Sequence, residues 1–279
     1  MTLQSVALDT PRQRRMVLYR AFLRRDWAMA LSYRLPFVVD LFQSVLSVAF
    51  LYFLARVVGH KVLAESGLQV SYFGFAVIGT VMVTILTVNL TNFSKRVRAD
   101  QLTGTLEVLF SMPVKPWLVV LASCTYQVIY SIISAALSIG LAFWLGLRFH
   151  VNALSLLVAF ADFVAAMITF TALGMALAAF VMVFKRGETL TTLAIGGLSL
   201  IGGVLYPVAL LSPLLRHVAD ILPFTWALEV MRAGLLGGQA DYLRLIEVWA
   251  FTIAIYPIAI LVFTHALNRA KRLGSVGQY

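Results

Sequence analysis

Ser94-Lys95-Arg96-Val97-Arg98-Ala99-Asp100-Gln101-Leu102-Thr103-Gly104-Thr105-Leu106-Glu107-Val108-Leu109-Phe110-Ser111-Met112-Pro113-Val114-Lys115-Pro116 is a polar interruption between two long apolar stretches. Leu102, Leu106, Leu109 and Phe110 recur at i, i+4, i+7 and i+8, which is one face of a helix. Gly104 near its start and Pro113 after its end punctuate the element. The segment therefore predicts a short amphipathic surface helix, with apolar knobs for a groove and charges on its rim.

The rest of the chain is apolar enough to sit in lipid. Of 279 residues, 61% are hydrophobic and 12% charged, and the mean hydropathy is +0.91. Soluble domains are nearer half apolar and a quarter charged. The composition predicts an all-α polytopic membrane protein. The net charge of +10, from 22 Lys+Arg against 12 Asp+Glu, reads as loop charge that fixes orientation, not as a nucleic-acid surface. Cys124 is the only cysteine, which excludes an internal disulfide. The polar start, broken by Arg20, Arg24 and Arg25, predicts no cleavable signal peptide.

A spanning helix needs about 20 mainly apolar residues. Six stretches qualify, at 36–58, 72–93, 117–147, 154–184, 190–211 and 247–267. They form one transmembrane domain over 1–279, with no repeat or linker dividing it. An even span count puts both termini on one side. That side carries Arg12, Arg14, Arg15, Arg20, Arg24, Arg25, Arg34, Lys95, Arg96, Arg98, Lys115, Lys185, Arg186, Arg269, Lys271 and Arg272. The other carries Arg56, Lys61, Arg148, Arg216, Arg232 and Arg244. By the positive-inside rule the termini and the 94–116 loop are cytoplasmic.

Two further segments are neither span nor free loop. Within 14–34, Leu18, Tyr19, Phe22, Leu23, Trp27, Met29 and Ala30 share one half of a helical wheel. Arg20, Arg24 and Arg25 share the other, with Asp26 out of place. This predicts a helix lying in the membrane interface. The stretch 212–245 is too polar to span and too apolar for a free loop. It predicts two half-helices broken at Pro223, entering from outside as a packed gate. Backbone at such depth requires cover from protein or water.

Catalytic signatures are missing. The sequence contains no Gly-Lys dipeptide, so it has no phosphate loop, and His60, His150, His217 and His265 lack metal-ligand spacing. Asp40 and Asp162 lie within spans, where an ionisable group is a functional hypothesis by default. Small residues recur in span four (Ala172, Gly174, Ala176, Ala178) and span five (Gly196, Gly197, Gly202, Gly203). Close packing, dimerisation and bending near Tyr206-Pro207 all fit that pattern. Phe50, Tyr52, Phe53, Tyr72, Phe73 and Phe75 read as an interfacial aromatic belt.

Gly104-Thr105-Leu106-Glu107, followed by Pro113, resembles the cytoplasmic signature of type 2 ABC exporter permeases. Gly203-Val204-Leu205-Tyr206-Pro207, with Pro223, Glu229, Arg232 and Gly234 further on, resembles that family's second signature. The order of elements resembles the family along nearly the whole chain. The resemblance implies the permease subunit of an ATP-driven exporter in a bacterial plasma (inner) membrane. It is expected to pair with a second permease copy, as homodimer or with a close paralogue, and with two ABC ATPase subunits. These would hold the ATP and Mg; this chain would hold no cofactor. A fused ATPase would need a longer chain, so the resemblance implies a separate polypeptide.

By the same resemblance, 101–111 would be the coupling helix, with Leu102, Gly104, Thr105, Leu106, Glu107, Leu109, Phe110 and Pro113 carrying the ATPase contact. Residues 16–31 would be the connecting helix. Tyr206, Pro207, Pro223, Glu229 and Arg232 would belong to the outer gate. Few charges along the pathway favour an amphipathic or hydrophobic cargo, a drug or lipid. The competing readings are a lipid-linked polysaccharide exporter of the same family, an ion-coupled secondary transporter and a membrane scaffold.

Overall fold

The computed structural model describes residues 11–32, 34–58, 70–102, 114–184 and 187–272. Among these the regular structure is entirely helical. In chain order the helices are α1 (Pro11–Ser32), α2 (Arg34–Val58), α3 (Tyr72–Leu102), α4 (Pro116–Trp144), α5 (Ala153–Phe184), α6 (Gly187–Ile201), α7 (Pro213–Ile221), α8 (Pro223–Leu236) and α9 (Tyr242–Arg272), with a 3-10 turn at Val208–Leu210.

Among the described residues four helices are long and apolar enough to cross a membrane: Tyr72–Asp100, Pro116–Trp144, Ala153–Met182 and Tyr242–Arg269. Two shorter apolar helices, Phe42–Val57 and Thr189–Ile201, accompany them. The fifth apolar stretch differs from its expected range of 190–211. Its helix stops at Ile201, where Gly202 and Gly203 follow. Gly203 has φ +72, a left-handed conformation that glycine adopts without a Cβ clash. α3 has 31 residues, about 46 Å at 1.5 Å per residue. It therefore outruns the hydrocarbon layer, and its polar last turns carry Arg96 paired to Asp100 at 3.2 Å.

The centre of the bundle is α3 against α5, flanked by α4, α8 and α9. Met82, Ile85, Leu86 and Phe170 are buried there. The backbones approach closely at Gly174, where a Cβ would stand 2.6 Å from the Asn89 carbonyl oxygen. Ala172 and Ala178 are fully buried. These small residues of the fourth stretch thus serve packing within the chain. Polar side chains inside the bundle pair across helices: Thr169 with Thr252 at 2.7 Å, and Thr171 donating to Asn89 Oδ1 at 3.2 Å. Removing both partners from water makes each such bond a specific helix contact.

α1 packs along α4 through Leu18, Tyr19 and the buried Phe22, which meet Val119 and Ala122. Trp27 makes an edge contact with Tyr126 at 6.1 Å. Asp26, the residue out of place on the wheel, is buried beside Arg25, whose Nη2 lies 2.6 Å away. Neutralisation by a neighbour explains how a carboxylate occupies the packed face.

The aromatic belt expected at the ends of the first two apolar stretches is corrected in part. Phe50 and Phe53 are exposed, but Tyr72, Phe73 and Phe75 are buried core residues. They sit in the first turn of α3, which other helices cover. Apolar content cannot separate a ring facing lipid from one facing protein.

Candidate functional site

The second region singled out by sequence, 203–234, forms a connected structure at the bundle end where α3, α5 and α9 begin. Its backbone follows from local sequence. Gly202 N donates to Leu198 O at 2.8 Å as α6 ends, and Gly203 turns the chain. The Tyr206 hydroxyl donates back to the Leu200 carbonyl, satisfying a carbonyl near the helix end that lacks an intrahelical partner. Pro207 precedes the 3-10 turn. Pro213 and Pro223 each open a helix, the position where a missing N–H costs nothing. The Trp226 indole N–H donates to the Asp220 carbonyl at 2.6 Å, tying α8 to the last turn of α7.

Arg232, on α8, is the hub. Its Nη1 donates to Gly203 O at 2.8 Å. Its Nη2 donates to Phe75 O at 3.0 Å and Val204 O at 2.6 Å, and Nε reaches Phe75 O at 3.3 Å. The Cζ atom lies 3.3 Å from the Phe75 ring centroid, a cation–π contact. One planar fork therefore joins α8, the first turn of α3 and the turn after α6. The carbonyls after α6 lie at a helix C-terminus, where a cation is favoured. Burial pulls the Arg232 pKa down and Glu229 opposes that; the guanidinium stays charged because arginine does not deprotonate in proteins.

Gly79 makes this geometry possible. A Cβ there would stand 2.2 Å from Val204 O and 2.7 Å from Arg232 Nη2. Glu229, one turn before Arg232, faces Arg244 of α9 at 3.5 Å. Arg244 also binds Glu247 at 2.9 Å. Burial pushes the Glu229 carboxyl up, against the pull of Arg244.

Beside this hub is a cavity of about 910 Å³. Pro207, Arg216, Asp220, Thr225, Glu229 and Arg232 are among the residues that line it. Sequence reasoning placed Tyr206, Pro207, Pro223, Glu229 and Arg232 in one region; Pro207, Glu229 and Arg232 line this cavity together, whereas Pro223 opens α8 and Tyr206 bonds back to the end of α6. That reasoning missed Phe75, Gly79 and Arg244. Gly79 carried no signal beyond being a glycine in an apolar run, and Phe75 gives a backbone carbonyl and a ring that read as one more aromatic of the belt.

The other region lies mostly outside the described residues: Gly104, Thr105, Leu106, Glu107, Leu109, Phe110 and Pro113 all do. Leu102 is the last residue of α3. Asp40 lies within α2. Asp162 is fully buried in α5, and its carboxylate oxygens have no hydrogen-bond partner among the described residues. Among the described residues no group of three or more His, Cys, Asp or Glu stands where it could hold a metal ion.

The helix lengths, their apolar surfaces and this polar, carbonyl-clamped end define an all-helical integral membrane protein. The model of the ABC-2 type transporter family matches residues 12–236, and the chain belongs to that family. It is a permease subunit of an ABC transporter, the membrane-embedded part that normally pairs with an ABC ATPase subunit. No curated protein matches the chain.

Proposed function

We propose that this chain is the permease of an ATP-driven exporter in a bacterial inner membrane. It has six spans, α2 and α6 completing the set of four long ones, and both termini are cytoplasmic. Two copies pair, each carrying one separate ATPase subunit below. ATP binding draws the ATPases together. The segment 101–111, with Leu102, Leu106, Leu109 and Phe110 on one face and Glu107 on the rim, passes that movement into α3. The chain itself offers two states with different access, and the bound ATPases bias them. The α7–α8 hairpin and its Arg232 hub form the outer gate. The cargo is an amphipathic or hydrophobic drug or lipid.

The observation that carries this reading is the family match over 12–236. The Lys and Arg asymmetry supports the orientation. The uncovered faces of α2, with Phe42, Phe50 and Phe53 more than half exposed, support a second copy or lipid there. Gly196 and Gly197 support a close partner for α6, since no atom lies within 4 Å of where a Cβ would stand.

The test is Leu106→Asp combined with Glu107→Ala in the assembled transporter. The expected result is loss of cargo-stimulated ATP hydrolysis while the permease keeps its thermal midpoint. Unchanged coupling in that variant contradicts the assignment of 101–111.

A further inference from the structure

The cavity beside α7 holds two charges that belong to no ion pair among the described residues. Arg216 and Asp220, at i and i+4 on α7, both line it and both are exposed. Side chains so spaced are neighbours on a helix surface, yet no ion pair joins these two, nor either of them to another described residue. The other lining charges are engaged. Glu229 faces Arg244. Asp241 Oδ1 accepts from the Arg244 backbone N–H. Arg232 is spent on carbonyls. A cation and a carboxylate outside any ion pair therefore stand a helix turn apart, the carboxylate within longer electrostatic reach of Arg244. A third group independently marks the cavity as a binding place. Thr225 lines it, is 1% exposed, and its hydroxyl oxygen has no hydrogen-bond partner. A buried hydroxyl left without a partner carries a desolvation cost.

The depth of the cavity narrows the ligand class. α3 begins at Tyr72, α5 at Ala153 and α9 at Tyr242, and α4 ends at Trp144. Val70, His150 and Asp241, just outside those ends, line the cavity. Trp144 and Tyr242 are 78% and 48% exposed at this level, where interfacial aromatics settle at headgroup depth. The second face of α7 is apolar: Leu214, Val218 and Ile221 are exposed at i, i+4 and i+7. A helix with charges on one side and an uncovered apolar stripe on the other lies along a headgroup–acyl boundary.

From these observations we infer that the cavity binds the zwitterionic headgroup of a phospholipid from the adjacent leaflet. The phosphate sits on Arg216. The ammonium sits on Asp220, with Thr225 donating its hydroxyl proton to a phosphate or ester oxygen. The acyl chains stay in the leaflet that the Leu214, Val218 and Ile221 face of α7 borders. The volume lies within the range of about 300–1,000 Å³ typical of small-ligand sites. An anionic headgroup that lacks an ammonium leaves Asp220 unanswered and is repelled by it.

The full-length chain, delipidated in detergent, tests this by native mass spectrometry with three probes: phosphatidylethanolamine, phosphatidylglycerol and soluble glycerophosphoethanolamine. Phosphatidylethanolamine is expected to be retained about tenfold better than phosphatidylglycerol, the effect of one charge-assisted hydrogen bond. D220N removes that preference, and R216Q weakens retention of both lipids severalfold. Both positions are exposed, so both variants keep the parent's lipid-free thermal midpoint. T225V, which preserves shape, weakens retention severalfold. Equal retention of the two lipids by the parent, a parent-like preference in D220N, parent-like retention in R216Q or T225V, or soluble glycerophosphoethanolamine binding as tightly as the lipid overturns the inference. None of these readouts involves an ATPase, so they stand or fall apart from the exporter reading.

Discussion

Arg232 and Phe75 meet twice: the guanidinium carbon lies 3.3 Å from the ring centroid, and Nη2 donates to the Phe75 carbonyl at 3.0 Å. The pair joins α8 to the first turn of α3. Through Gly203 and Val204 the same side chain also holds the turn that ends α6. α3 in turn runs the length of the bundle to Leu102, where the segment proposed to receive the ATPase begins. One rigid helix thus has the Arg232 clamp at one end and the proposed driving segment at the other.

Arg232→Met should destabilise the chain by about 3 kcal/mol, because hydrogen bonds to a charged group are worth about 1.5–3 kcal/mol each and are not additive. Arg232→Lys should recover only part, since a lysine lacks the planar fork. Thermal unfolding in detergent checks both. A lysine variant as stable as the parent would show that charge alone suffices.

Gly79→Ala should cost about 1–3 kcal/mol by overpacking, because the new Cβ meets a backbone carbonyl and the Arg232 guanidinium. The double variant with Arg232→Met should cost less than the sum of the two singles, since they disrupt one contact. A double-variant cycle of midpoints measures this; strict additivity would separate Gly79 from the hub.

Gly174→Ala should weaken the α3–α5 crossing, where the added carbon would lie 2.6 Å from Asn89 O. The expected loss is again about 1–3 kcal/mol. Gly196→Ala, with open space at its Cβ position, should leave the monomer's midpoint unchanged. Equal effects at the two positions would contradict the packing described for them.

Glu229 supplies a pH dependence. Burial raises its carboxyl pKa above the ordinary glutamate range. The folded state then holds this proton more tightly than the unfolded state. Its contribution to stability is full below the ordinary range and falls as pH rises through the raised value. Subtracting the midpoint–pH curve of Glu229→Gln from that of the parent should leave a decline with rising pH. A difference that rises with pH would reverse the sign and make the Arg244 contact dominant.

Much of the fold follows from local signals in the sequence. Pro213 and Pro223 open α7 and α8 because proline suits the first position of a helix. Gly202-Gly203 ends α6 earlier than hydropathy suggests, and the pair is legible once hydropathy is set aside. Arg232 was legible as a positive charge outside the spans and, through the second signature, as an outer-gate residue, but not as a clamp. Apart from the Phe75 ring, its partners are backbone carbonyls, which every residue carries, so no pattern marks them. Tyr72, Phe73 and Phe75 read as a lipid-facing belt for a similar reason, since the helices that cover them come from distant sequence. Arg216 and Asp220 were visible as polar residues, but their common cavity depends on how α7 folds over α8.

The proposed function requires that a separate ATPase moves the chain. The most direct measurement is gentle extraction of the native chain, followed by quantitation of what accompanies it. The expected companion is an ABC ATPase at equal stoichiometry with the permease, released when Leu106 and Glu107 are replaced. A transport-competent preparation that contains this chain and no ATPase would contradict it.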